Sequence, residues 1–295
     1  MLEAETIQGR RIGNVEIAEI RGLIESHRQW SRLQLSRVLA ERWQWYAASG
    51  QLKDMAARTL LLKLQDRGLI TLPPRRQTPA PRRPVGQAEL FDGVQPEPVV
   101  GSLSSLRPLQ IQVVGPKDRN YRLFQQYLRQ HHYLGHRGPV GENLAYLIRN
   151  RAGVDLACVL FGAAAWQCAA RDRWIGWSAE QRGQGLSLLA NNCRYLILPW
   201  VVVPHLASHL LGQIAQRIAG DWQRRYGHPI YLLETFVQPD RFRGTCYQAA
   251  NWIHVGQTTG RTRQSQRHRD NAVHAPVKDV YLYPLRADAR HRLCR

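Results

Sequence analysis

The stretch from Arg194 to Arg261 constrains this 295-residue chain more than any other. Its first part, Tyr195 to Val203, is an apolar, β-branched run that predicts a buried strand. Pro204 then opens a long helix, because proline at the first helical position gives up no N–H that the helix needs. Along that helix Leu206, Leu210, Ile214, Ile218 and Trp222 recur every four residues, and Ala207 and Leu211 widen the stripe. Gly227 stands where a left-handed cap ends a helix. Pro229 to Val237 predicts a second strand. Thr245 and Gln248 have capping-box spacing for a short helix through Asn251, and Trp252 to Gly256 predicts a third strand. Strand, helix, strand, short helix and strand imply a sheet with helices packed on it.

Charge narrows the partners. Lys and Arg number 41 against 22 Asp and Glu, a formal net charge of +19. An excess this large points to a polyanion, nucleic acid before an anionic membrane surface. No stretch approaches the roughly 20 apolar residues of a membrane span, and the N-terminus has no signal-peptide core, so no membrane partner is expected. The five cysteines, Cys158, Cys168, Cys193, Cys246 and Cys294, form no C-x-x-C pair and are odd in number. That pattern fits a reducing cytoplasm rather than a disulfide framework or a zinc module.

Before the central stretch the chain reads as two domains and a linker: 1–76, 77–105 and 106–295. Residues 1–14 carry no pattern and are expected to fray. Val15 to His27 predicts a helix with Ile17, Ile20 and Ile24 on one face. Ser31 and Gln34 can form a capping box, with Trp30 and Leu35 as a hydrophobic staple, so a second helix begins there. Leu52 to Arg67 predicts a third helix stopped by Gly68, Leu69 to Leu72 a short strand, and Pro73 to Arg76 a rigid basic tip. Three helices, a strand and a basic wing predict a small winged helix-turn-helix, with a plain helical bundle as the alternative. Lys53, Arg58, Lys63 and Arg67 would face phosphates from the recognition helix, and Arg75 and Arg76 the flanking backbone. Residues 77–105 hold Pro79, Pro81, Pro84, Pro96 and Pro98, which predicts an extended linker to which Arg82 and Arg83 add phosphate contacts.

In 106–295, Leu109 to Val114, Leu144 to Ile148, Val154 to Phe161 and Val280 to Leu285 predict strands, and Tyr121 to Gln130 a helix. Ser178 and Gln181 can cap a helix that runs to about Leu189. Glu234 closes an apolar strand, where functional side chains of open α/β sheets gather. It is either a general base or metal ligand, or a buried carboxylate paired with Arg171 or Arg194. Asp172 reads as a turn or ion-pair residue; convergence with Glu234 would make metal-assisted phosphodiester chemistry conceivable. His131 and His132, at a helix end, read as partners of its dipole. Asn191 and Asn192 read as a helix cap and the start of a turn. Trp166, Trp174, Trp177 and Trp252 belong to core or rim, where one can stack on a splayed base. Arg261, Arg263, Arg267 and Arg269 form a basic arm for phosphates. No metal site is expected, and no cofactor is assigned.

Several motifs recur in a known order: Tyr133-Leu134-Gly135, Arg171-Asp172 with Ile175-Gly176-Trp177, Asn191-Asn192, Leu206-Ala207-Ser208, Glu234-Thr235-Phe236-Val237 and Gly244 through Trp252. Together, over most of 106–262, they resemble the DruA family of the Druantia anti-phage system, whose relatives also lie beside transposase genes in mobile elements. The element order further resembles the GNAT acetyltransferase fold. The fold class implied is α/β (α+β), a GNAT-like mixed sheet with flanking helices behind the winged segment. The resemblance implies a cleft built by Arg171, Glu234, Thr235, Tyr247 and Asn251, with Tyr133, Asn191, Asn192 and Thr245 beside them, Arg171, Arg194 or Arg261 supplying positive charge, and Tyr247 where many GNAT enzymes keep a tyrosine acid. Glu234, Tyr247 and Asp172 are its candidate catalytic residues. The partners implied are DNA and other defence-system or transposase proteins. The alternatives are an acyl-CoA-dependent acyltransferase, against which the glycine-free turn Pro204 to Ser208 counts, and a metal-dependent nuclease.

Overall fold

The computed structural model describes residues 4–48, 50–74, 97–136, 138–260 and 276–295. Contacts divide the chain into two compact units, Met1–Glu89 and Leu90–Arg295.

The first unit begins with order where fraying was expected. Strands β1 (Glu5–Ile7) and β2 (Arg10–Ile12) pair antiparallel. Gln8 and Gly9 turn them, both at positive φ, as a two-residue hairpin requires. Strands of three residues are too short to show a period, yet Ile7 and Ile12 enter the core. Helices α1 (Asn14–Ser26), α2 (Arg32–Arg42) and α3 (Asp54–Asp66) come next. The Ser31–Gln34 capping box forms: the Ser31 N–H donates to Gln34 Oε1 at 2.8 Å and the Gln34 N–H to Ser31 Oγ at 3.2 Å. Leu23, rather than Ile24, is the buried residue of the last turn of α1. Ile70 and Leu72 are buried, but Leu69 to Leu72 form no strand. Side chains take up their backbone groups instead, Arg21 Nε donating to the Leu69 carbonyl at 2.9 Å and Arg32 Nε to that of Pro73 at 2.7 Å. The described residues after α3 therefore build no wing, and the tip at Arg75 and Arg76 lies outside them.

The second unit opens with β3 (Val99–Val100), β4 (Gln110–Val114), α4 (Arg119–His131), β5 (Asn143–Arg149) and β6 (Asp155–Ala163). It continues with α5 (Ala169–Ile175), α6 (Ala179–Gly185), β7 (Leu189–Ile197), β8 (Val201–Val202) and α7 (Leu206–Tyr226). It closes with β9 (Leu232–Val237), α8 (Thr245–Ala249), β10 (Ile253–Gln257), β11 (Asp279–Pro284) and α9 (Ala289–Leu293). Seven strands form one mixed sheet in the order β10-β11-β9-β7-β6-β5-β4. Helices flank it on both faces.

The long helix fulfils its pattern: Leu206, Leu210, Leu211, Ile214, Ile218 and Trp222 are buried against the sheet. Truncating a residue such as Trp222 to alanine costs about 3–5 kcal/mol. The helix starts at Leu206 and not at Pro204, because His205 sits at φ 62°, outside the right-handed helical region. The run Tyr195 to Val203 is split between β7 and β8, and Asn191 and Asn192 are part of β7, not a turn, since the ladder to β6 extends through them. Residues 97–105, expected in a linker, belong to the second unit. There Val99 donates to the Trp200 carbonyl at 2.8 Å, β3 pairs parallel with β8, and Leu106 is buried. The short helix α8 exists without its predicted box: Gly244 caps it at φ 68°, and the Gln248 amide donates to Tyr281 Oη at 3.0 Å. A Cβ at Gly244 would stand 2.7 Å from that phenol oxygen, so only glycine lets α8 lie this close to β11.

One junction in the sheet divides its two halves. Strands β7 and β9 are its one parallel pair among the described residues. They hydrogen-bond only through Leu189–Leu232, Ala190–Leu233 and Asn191–Glu234 before they part.

Candidate functional site

Strand β9 alternates by geometry, so its successive side chains leave on opposite faces of the sheet. Leu232 and Phe236 pack with α5 and α9, whereas Leu233 and Val237 pack with the α7 side. Glu234 shares the first face and Thr235 the second.

On the first face Glu234 is fully buried beside fully buried Arg171. Glu234 accepts from the Ala165 N–H at 2.6 Å and from Arg171 Nη1 at 2.9 Å. Arg171 also donates to Asp172 at 2.8 Å and to the Ala165 carbonyl at 2.7 Å, and Arg182 donates to Asp172 at 3.2 Å. Burial lifts the Glu234 carboxyl above its ordinary range, with the guanidinium opposing it. Burial likewise opposes the Arg171 charge, but Glu234 and Asp172 outweigh that and hold its pKa above the ordinary value. Asp172 and Glu234 thus converge, as the nuclease alternative needs, but Arg171 fills the space between them. No three His, Cys, Asp or Glu side chains gather elsewhere among the described residues to hold a metal.

On the second face, where β7 and β9 diverge, a cleft of about 580 Å³ opens. Tyr247 from α8 rises into its floor and donates to Asn192 Oδ1 at 2.7 Å, while Thr235 Oγ1 donates to the Asn192 carbonyl at 3.1 Å. Burial holds the Tyr247 phenol well above its ordinary pKa, so it keeps its proton as a donor at neutral pH. Asn191 borders the cleft too, but its side chain follows Glu234, its partner across the ladder, to the first face, where its Oδ1 is buried with no hydrogen-bond partner among the described residues.

The walls and mouth are cationic and aromatic. Arg194, Arg241, Arg243 and Lys278 line the cleft, and no Asp or Glu does among the described residues. Arg194 is anchored by the carbonyls of Gly135 at 2.9 Å and Cys193 at 2.7 Å, which position it without neutralising it. Tyr133 and Phe242 meet at the mouth with ring centroids 5.2 Å apart, and Arg241 lies over Tyr133 at 5.2 Å. His132 accepts from the Leu134 N–H at 3.2 Å. Burial first, and the Arg194 charge second, depress its pKa to about 4. A neutral His132 cannot favour the helix dipole as a cation, which corrects the expectation for that position.

The sequence-predicted residues therefore separate. Tyr133, Asn191, Asn192, Arg194, Thr235, Thr245 and Tyr247 meet at the cleft. Arg171, Asp172 and Glu234 do not, so Glu234 and Tyr247 share no wall; one residue of strand pleat divides them. Asn251 lies two residues beyond α8 at φ 62° and is not part of the lining. Trp177 and Trp252 are buried, Trp174 lies beneath Arg290, and Trp166 is exposed. In the first unit Lys53 is exposed, Arg58 and Lys63 are half-buried, and Arg67 is bound by Glu5, one of its contacts at 3.1 Å. Arg76, Arg82, Arg83, Arg261 and Arg263 lie outside the described residues, as Arg75 does. His132, Arg241, Phe242, Arg243 and Lys278 are among the lining residues absent from the sequence-predicted set. A phenylalanine between two arginines, just before a predicted helix, was the available signal.

The turn into α7 does not fit an acyl-CoA cradle. It holds no glycine from Pro204 to Ser208, and side chains there hinder the close backbone approach that a pyrophosphate requires.

The family model described as Druantia protein DruA matches residues 94–267. No curated protein matches the sequence. Among solved structures, the chain is similar to spermidine N-acetyltransferase from Vibrio cholerae in complex with CoA and spermine, at 8% identity and a TM-score of 0.38, covering 59% of this chain and 94% of that one. It is similar also to RimL, a ribosomal L7/L12 α-N-protein acetyltransferase, at 12% identity and a TM-score of 0.30, covering 50% and 72%. At these scores the likenesses decide nothing about chemistry.

Proposed function

The chain belongs to the family described as Druantia protein DruA, and on that premise we propose that it is a DNA-directed component of an anti-phage system whose second unit engages nucleic acid at the β7–β9 cleft. One observation carries the reading. Four cations converge on the cleft with no carboxylate among its described lining. Uncompensated positive charge in a partly enclosed site attracts a phosphate-bearing ligand, and the low-dielectric walls strengthen that attraction. The overall charge of +19 agrees with a polyanionic partner. Its compartment is then the cytoplasm, and its protein partners are sought among other components of such a system or among transposases.

The test is binding of a labelled DNA over a salt series. Each phosphate contact adds about 0.9 to the log–log salt slope for duplex DNA, so replacing Arg241 and Arg243 together by alanine is expected to flatten it by one to two contacts' worth. An affinity that is unchanged between low and physiological salt removes the proposal.

A second reading, acyl transfer, is favoured by the protonated Tyr247 at the floor of a cleft between diverging strands. It is opposed by the turn into α7. Acetyl-CoA added to a thermal melt decides it, because a ligand that prefers the native state must stabilise it.

A further inference from the structure

Resting on the nucleic-acid reading, we propose that the cleft takes an unpaired nucleotide from single-stranded DNA, with its base against Phe242 and Tyr133 and its phosphates on Arg241, Arg243 and Lys278. Size comes first. A space of about 580 Å³ falls within the ~300–1,000 Å³ of small-ligand sites. A duplex, whose major groove alone is about 12 Å wide, can only lie across the mouth. A nucleotide drawn from a single strand can enter.

The mouth supplies what a base needs. Phe242 is 48% exposed and Tyr133 is 39% exposed, and because the two rings adjoin they present one continuous aromatic surface at the mouth. Their rings are tilted by 56°, so one ring can support a base face while the other borders its edge. Single-strand sites combine such platforms with cations that follow the backbone, and stacking tolerates any base because every base has a π face. Arg241 and Arg243 flank Phe242 in the chain, which sets charge on both sides of the platform. No carboxylate pairs with Arg241, Arg243 or Lys278 among the described residues.

The experiment is fluorescence anisotropy at one fixed salt concentration with a short labelled single strand, the duplex of the same sequence, and unlabelled coenzyme A as competitor. Wild-type protein is compared with Phe242→Ala, Phe242→Tyr and the Arg241→Ala/Arg243→Ala double variant, each with a thermal melt to show that it folds. The single strand is expected to bind at least tenfold tighter than the duplex. Stacking on one ring corresponds to roughly 5- to 150-fold in affinity. Phe242→Ala is therefore expected to weaken the single strand at least fivefold while changing the duplex less than twofold, and Phe242→Tyr to restore it. Equal affinity for the two forms, or equal loss from both in Phe242→Ala, overturns the single-strand inference and leaves the DNA reading standing. If the double arginine variant binds both forms as wild type does, or coenzyme A displaces the strand at stoichiometric amounts, the DNA reading at the cleft itself is overturned.

Discussion

Glu234 and Thr235 are neighbours in the chain and opposites in circumstance. The first faces a sealed network in which every charge has a partner: Arg171 between two carboxylates, and Asp172 held again by Arg182. The second faces an open cleft in which positive charge has no carboxylate partner. The sealed face has the residues that usually suggest catalysis, yet its charges already neutralise one another. The open face has hydroxyls, amides, thiols, rings and cations but no carboxylate among its described lining, and its positive charge is left for a ligand to meet. Unmet interactions, more than reactive residue types, locate a binding site.

The largest test of this contrast is Glu234→Gln. Neutralising one member of a fully buried pair leaves Arg171 short of a counter-charge, a loss of about 3–5 kcal/mol. Chemical denaturation measures it, and at a temperature where the variant remains folded its DNA affinity is expected to match wild type. Reduced affinity with unchanged stability would reverse the assignment of the two faces.

Tyr247→Phe is the counterpart on the open face. It strands the Asn192 carboxamide oxygen at the cost of a buried group left unpaired, about 1–3 kcal/mol, and is expected to impair phage protection beyond what the melt explains. A plaque assay beside the melt separates the two effects.

His132 gives a pH signature. Its folded pKa, about 4, lies below the ~6.5 of an unfolded histidine. Between those values the unfolded chain binds more protons. Stability from this group is thus fully present above about pH 6.5 and lost as the pH falls towards 4. His132→Gln is expected to show a shallower decline across that window. A bound phosphate beside His132 raises its folded pKa towards the unfolded value, so saturating DNA is expected to make the wild-type decline shallower and end it at a higher pH, and an identical profile with and without DNA would separate His132 from the ligand. The smallest effect belongs to Phe242→Ala in the absence of DNA: an exposed ring with no core contact changes stability by less than about 0.5 kcal/mol, as a melt will show.

Much of the second unit is legible in sequence because its signals are local and redundant. The five-membered stripe from Leu206 to Trp222 has one reading, and so does the Ser178–Gln181 box, whose Gln181 N–H donates to Ser178 Oγ at 3.2 Å. The misreadings have physical causes as definite. Asn191 and Asn192 favour turns on their own, and the β6 ladder overrides that preference. Residues 97–105 look like linker by proline content, and only tertiary pairing with β8 makes a strand of Val99 and Val100. Glu234 looks catalytic because a carboxylate at a strand end is legible in sequence, whereas the pleat that turns it away from Tyr247 is a relation between two distant elements. Arg241 to Arg243 escape notice because nothing local shows that a loop residue will border a cavity.

The brief meeting of β7 and β9 has a consequence for how occupancy could be tracked over time. Past Asn191 and Glu234, main-chain groups on the facing edges of the two strands lose their ladder partners in the middle of a sheet that is otherwise laced across its width. Amides there should trade their protons with solvent far sooner than those on the opposite edges of the same strands, which are secured to β6 and β11. Anything lodged in the gap that slows this exchange marks its own residence without a label, and the alternate residues that respond would trace its path along the seam.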